Sequence, residues 1–169
     1  MTNRTPEMYD DTELGNKPTQ EEILMNESDI LDGILNLGKR KDESENYRKI
    51  RLKDSKGAVK LEFRIRPISE DENRALMKKA TPATKDKNIR VETNWVKYRS
   101  LLIYSATVDE DRIKIWDNPR VKEAMNVYEA WELIDKVMLA GEKAKVIDII
   151  DEASGFGLEE SEAEETSKN

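Results

Sequence analysis

The stretch Val59–Arg66 constrains the fold more than any other. Val59, Leu61, Phe63 and Ile65 alternate with Lys60, Glu62, Arg64 and Arg66. A period of two separates apolar from polar side chains only on a strand. Ile50 and Leu52 alternate in the same way upstream. Between the two runs, Asp54-Ser55-Lys56-Gly57 offers the glycine that a short hairpin loop needs at positive φ. Pro67 ends the second strand, because proline cannot donate to a ladder. The spacing therefore predicts an antiparallel hairpin with Phe63 and Ile65 facing a core. Lys49, Arg51, Lys53, Lys60, Arg64 and Arg66 face outward. That cationic face is either a docking surface for an acidic partner or phosphate, or a solvated face whose charges protect exposed edges. No aromatic residues interleave with the cations, so stacking of single-stranded nucleic acid finds no support.

Helices supply the rest. Ser69 stands three residues before Glu72, the capping-box spacing. Ala75, Leu76 and Ala80 face inward behind it, Lys78 and Lys79 suit the negative end of the helix dipole, and Pro82 stops the run. After a polar loop over 81–92, Asn94 caps a second helix. Trp95, Tyr98, Leu102 and Ala106 form its stripe, and Leu101, Ile103 and Tyr104 make it apolar nearly all round, which argues for burial on several sides. Asp109–Asp117 reads as a charged connection, and Asn118-Pro119 starts another helix. Residues 131–156 then read as two short helices about a pivot at Ala140-Gly141. Trp131, Ile134 and Met138 recur in the first, and Val146, Ile149, Ile150 and Ala153 in the second. Ser154-Gly155 stops the pair, with Phe156 folding back as a Schellman motif allows.

Polarity limits how much of the chain joins this core. Hydrophobic residues are 37% and charged residues 38% of 169, and such a balance leaves segments disordered. Residues 1–22 are expected to be a disordered acidic arm, and residues 158–169 an acidic disordered tail. Between the arm and the hairpin, residues 23–44 hold a short amphipathic helix and a linker. Ile30, Ile34 and Leu37 make its stripe, Ser28 or Asn26 its cap, and Gly38 its end. A helix so short is marginal alone in water, so it must dock on its own domain or on another chain. The folded domain is expected over 45–157. Overall the class is α+β, mostly α: one antiparallel hairpin packed on about five short helices.

Several chemistries are excluded by composition. There is no cysteine and no histidine, which removes disulfides, thiolate nucleophiles, Cys/His zinc sites and a Ser-His-Asp triad. Asp109, Glu110 and Asp111 are adjacent acids, but Arg112 spoils a calcium loop. No glycine-rich phosphate loop occurs. No catalytic, cofactor or metal site is expected. No apolar run approaches the roughly 18 residues of a membrane span. The net charge is −7, which opposes general nucleic-acid binding. It is concentrated at the ends: residues 1–32 hold nine acids and two bases, leaving a mildly basic middle.

The order of elements carries a resemblance. An alternating hairpin with a Lys-Asp-x-x-Gly turn leads into Pro-Ile-Ser-Glu-x-Glu-x-x-x-Leu. A Tyr-x-x-x-Leu-Ile helix follows, then Met-Leu-x-Gly-Glu-x-Ala-Lys and an I-x-x-x-x-G-F ending. Over roughly 45–157 this resembles the XkdN-like tail assembly chaperones of tailed phages and defective prophages. Its most specific parts are Lys136–Lys145 and Ile150–Phe156. Ala140 and Lys143 stand where the family pattern often has a proline and an aromatic, which implies a looser pivot. The resemblance implies a non-enzymatic protein of the host cytoplasm, absent from the finished virion. Such a protein binds the tape measure protein and helps recruit tail tube subunits. The pair of helices over 131–156 carries more apolar side chains than one stripe per helix buries, and such a surplus marks an interaction site. Trp131, Ile134, Met138, Leu139, Ile147, Ile150 and Phe156 are the expected partner contacts, receiving a tape measure helix or a second copy of the chain. The alternative is a small nucleic-acid-binding or regulatory phage protein using the basic hairpin face.

Overall fold

The structure, a computed structural model, describes residues 17–156. It divides into two units, one ending at Gly38 and the other beginning at Lys39.

The first unit is carried by helix α1 (Gln20–Lys39). Thr19 Oγ1 accepts the Glu22 N–H at 3.2 Å, and Glu22 Oε2 accepts the Thr19 N–H at 2.9 Å. This reciprocal cap starts the helix inside the segment expected to be a disordered arm, and ahead of the expected caps Ser28 and Asn26. The signal was a Thr-x-x-Glu box at 19–22, equivalent to the one at Ser69. Glu21 and Glu22 lie at the positive end of the dipole and Lys39 at the negative end, each placement stabilising by a few tenths of a kcal/mol. Ile23, Ile30, Leu31, Ile34 and Leu35 are 44–60% exposed. The remainder of the arm, residues 1–16, and the acidic tail expected over 158–169 lie outside the described residues.

The second unit holds the core. Two 3-10 turns (Arg40–Asp42 and Ser44–Asn46) lead into β1 (Arg48–Lys53), which pairs antiparallel with β2 (Val59–Ile65). Ile50 lies opposite Phe63, and Lys49 opposite Arg64. The turn forms for the expected reason: Gly57 adopts φ +83°, and Asp54 Oδ1 accepts the N–H groups of Lys56 and Ala58 at 2.9 and 3.0 Å. Ile50, Leu52, Phe63 and Ile65 are buried, as the alternation requires. Val59 stays 47% exposed next to the turn, beyond the reach of the helices.

Six helices follow: α2 (Glu70–Ala80), α3 (Trp95–Ala106), α4 (Asp109–Lys114), α5 (Pro119–Ala124), α6 (Ala130–Val137) and α7 (Ala140–Ala153). The fold is thus mostly helical α+β, with seven α-helices and one hairpin among the described residues. Helix α4 replaces the expected charged connection. Its three acids sit in its first turn, where the dipole favours them, and Arg112 pairs back to Asp109 at 2.7 Å.

Helix α3 is central and packs against α2, α6 and α7. Ser100, Leu101, Leu102, Ile103 and Ala106 are its buried face. Trp95 departs from the expected stripe: it is 55% exposed and meets Tyr98 edge-on at 5.5 Å. The fully buried tryptophan is Trp116. Its ring stands T-shaped to Phe63 at 5.4 Å, and its Nε1–H donates to Thr107 Oγ1 at 3.0 Å. Thr107 in turn bridges to Ile65, so the residues after α3 cover the outer edge of β2. Arg66 donates its N–H to Ala106 O, and Val108 donates to Arg64 O, at 2.7 and 2.9 Å.

The last two helices break earlier than expected. Met138 and Leu139 are extended, and Gly141 lies inside the first turn of α7. Glu142 Oε2 accepts the Leu139 N–H at 2.8 Å, which fixes the start of α7. Its end is the expected Schellman motif. Gly155 has φ +96°, Phe156 N–H donates to Asp151 O at 3.0 Å, and Gly155 N–H donates to Glu152 O at 3.2 Å.

Candidate docking surface

The seven expected contact residues divide by burial. Ile134, Met138 and Ile150 are 0–4% exposed and belong to the core; such side chains have no surface to offer. Trp131 and Ile147 are half-buried. Leu139 at 72% and Phe156 at 65% are open. The apolar surplus expected over 131–156 is therefore smaller than the count of side chains suggested, because α3 and β1 absorb much of it. What stays open is concentrated at the α6–α7 junction, where Val137 is also 40% exposed. Leu139 is open because it occupies the N-cap position, outside the turn that would direct it inward. Phe156 closes the far end of α7, beside a cleft lined by Ile68, Tyr98 and Asp151. Burial, with Asp148 nearby, pushes the Asp151 carboxyl upward. Trp131 lies under the Lys97 ammonium at 5.2 Å, a contact worth about 0.5–1 kcal/mol when exposed.

A second surface lies between β1 and α7. Ile50, Leu52, Val146 and Ile149 line a groove of about 290 Å3, together with Lys49, Lys53, Arg51, Lys145 and Glu142. Its apolar floor is continuous with the core, and its lysines are exposed.

The hairpin's cationic face is largely neutralised. Arg51 and Lys49 pair with Glu62 at 2.8 and 3.2 Å, and Lys60 pairs with Asp54 at 3.7 Å. Arg64 is only half-exposed. It binds Asp111 through Nε and NH2, reaches Glu110 at 3.0 Å, and presents its backbone N–H to Asp111 at 2.7 Å. Those bonds hold the Asp111 carboxyl below its ordinary range. Arg66, expected in solvent, is mostly covered and pairs with Glu72 at 2.7 Å. Five of the six outward cations thus have a carboxylate partner. Glu110 and Asp111 serve here as anchors for Arg64, Asp111 using both oxygens on it, while Asp109 pairs with Arg112.

Sequence reasoning missed one cluster. Lys143 Nζ donates to Ser100 Oγ at 2.6 Å and to Asp135, and Ser100 Oγ donates to Asp135. Ser100 is fully buried, and Lys143 is 8% exposed. A serine–lysine dyad would need an approachable hydroxyl and a neutral amine. Here the hydroxyl is sealed and the amine faces a carboxylate, so the cluster is a polar tie joining α3, α6 and α7. The signal was present: Lys143, Val146 and Ile150 recur at i, i+3, i+7, which puts a lysine on an apolar stripe. Lys143, one of the two positions that carry the implied looser pivot, is a member of this tie.

Three comparisons with known proteins bear on this arrangement. The crystal structure of the protein YqbN is similar at 19% identity, covering 65% of this chain and 87% of that one, with a TM-score of 0.43. No curated protein matches the chain. A family model described as phage XkdN-like tail assembly chaperone protein matches residues 31–168. That span contains the hairpin, the α6–α7 junction and the buried tie, and the chain accordingly belongs to the XkdN-like family of phage tail assembly chaperones.

Proposed function

We propose that this chaperone holds the tape measure protein during tail assembly and helps bring tail tube subunits to it. The observation that carries the reading is the open apolar pair Val137 and Leu139 at the α6–α7 junction. It lies within the family match and in the most family-specific part of the sequence. A long helical client with an apolar stripe needs such a ledge to shield it, by the mode in which an amphipathic helix lies against an apolar surface. Trp131, Ile147 and Phe156 are the further accessible members of the expected contact set, on α6, on α7 and just past the end of α7. The three buried residues support it from beneath. The role is binding without catalysis, and its setting is the host cytoplasm, with the chaperone left out of the finished virion. Among the described residues, no helix is long and apolar enough to cross a membrane. The segment 45–157 is the client-holding domain, and the acidic ends flank it. The rival nucleic-acid reading is weakened by the ion pairs that occupy the hairpin cations.

Coexpression with the phage's own tape measure protein tests the proposal. The wild-type chain is expected to co-purify with it, and Leu139→Glu with Val137→Glu to lose it while keeping the circular dichroism spectrum. Retained capture by a folded double variant would move the client surface elsewhere. Tight binding to duplex DNA at physiological salt would favour the rival reading.

A further inference from the structure

Helix α1 and the β1–α7 groove are complementary in chemistry. The helix presents Ile23, Ile30, Leu31, Ile34 and Leu35 along one side, each 44–60% exposed. Glu27 falls within that stripe, at i+4 from Ile23 and i−3 from Ile30. The helix carries five acids and Lys39 as its only base. Helices in proteins draw most of their stability from packing of an amphipathic face, so the stripe calls for a partner. Pairing α1 with α1 of another copy would bring Glu27 and the other acids into mutual repulsion. The stripe suits instead an apolar surface with a cationic border.

The groove has that composition. Its floor is Ile50, Leu52, Val146 and Ile149, and Lys53 and Lys145 stand around it with Lys49 and Arg51, which share Glu62, and one acid, Glu142, engaged by the Leu139 N–H. It also borders an open strand edge. Arg64 turns its N–H and C=O away from β1, toward Asp111 and Val108. Its register partner Lys49 must therefore turn its own main chain outward on the other side, and so must Arg51 two residues on. Adding β1 of a second copy to that edge would align Lys49 and Arg51 with their own counterparts, a like-charge arrangement that protects edges. An acidic, apolar-faced element is the one that fits.

We propose that α1 of one copy seats in the β1–α7 groove of a second copy, with Glu27 among the groove's lysines. Done reciprocally, the exchange gives a closed two-fold dimer. This inference involves no client, so it stands or falls separately from tape measure binding.

The chain has no cysteine, so single replacements report contacts cleanly. An Ile34→Cys copy mixed with a Lys145→Cys copy under mild oxidation is expected to give a disulfide between the two different copies. An Arg120→Cys copy serves as the control for random collision. Light scattering is expected to show a dimer for the unmodified chain. Lys53→Glu with Lys145→Glu should weaken it by about tenfold or more, and adding Glu27→Lys should restore it. A monomer at all concentrations would overturn the proposal. So would linkage no better than the control, preferential linkage of Ile34→Cys copies to each other, or a dimer indifferent to the charge reversals.

Discussion

Helices α1 and α7 show how similar sequences meet different fates. Both are amphipathic, and both carry isoleucines at helical spacing with most of their acids on the opposite side. In α7, Val146 and Ile150 are 3% and 1% exposed; in α1, Ile30 and Ile34 are each 60% exposed. The difference lies in the unit to which each helix belongs. Helix α7 follows α6 through two extended residues and comes down across α3 and β1. Helix α1 belongs to a separate unit. Amphipathicity states that a face requires cover, and only the tertiary arrangement says where the cover is.

The comparison breaks if burial does not govern cost. Ile150→Ala should destabilise the second unit by about 2–5 kcal/mol, as buried aliphatic truncations do; urea denaturation followed by tryptophan fluorescence measures it. Leu102→Ala on α3, buried at 4%, should fall in the same range of about 2–5 kcal/mol. Asp135→Ala comes next. It leaves the Lys143 ammonium and Ser100 without their carboxylate, and removing one partner of a buried pair costs about 3 kcal/mol or somewhat less where the pair is partly wetted.

Ser69→Ala should cost about 1 kcal/mol, the usual value of an N-cap. The same cap makes stability depend on pH. Burial alone would raise the Glu72 carboxyl, but Arg66 and the Ser69 N–H outweigh it and hold its pKa at about 2. The folded value lies below the ordinary one. The contribution is therefore complete above about pH 4.5 and is lost as the pH falls toward 2. Glu72→Gln should flatten that part of the acid-unfolding profile; an unchanged profile would assign the acid sensitivity to other carboxylates. The smallest effect is expected from Ile34→Ala. At the lowest protein concentration it should shift the unfolding midpoint of the second unit by no more than about 0.5 kcal/mol, as exposed sites do. A cost comparable to that of Ile150→Ala would erase the distinction between the two helices.

Features fixed within a few residues were legible from the sequence. Ser69 with Glu72, Asn94, Asn118-Pro119 and the Gly155 stop each involve neighbours in the chain, and the structure shows all of them. Hairpin alternation was equally local. Features set by distant partners were not legible. Asp111 meets Arg64 across 47 positions, and Lys143 meets Ser100 across 43. Nothing near either residue announces the other. Trp95 and Trp116 look alike in sequence, yet only the second finds Phe63 and Thr107. The same holds for the candidate surface: pattern identified the helices of 131–156, while burial by α3 and β1 decided which of their side chains remain available.

The tie between Lys143, Asp135 and Ser100 also sets a limit on how this chaperone can grip. A greasy client wedged between α3 and α7 would strand an ammonium and a carboxylate in a dry seam, with no water to solvate them. The tie therefore resists the parting of α3 and α7 by any apolar surface. On the proposed reading a client would be held on the outer skin alone, where contact is undone one side chain at a time, so that release needs no unfolding of the holder.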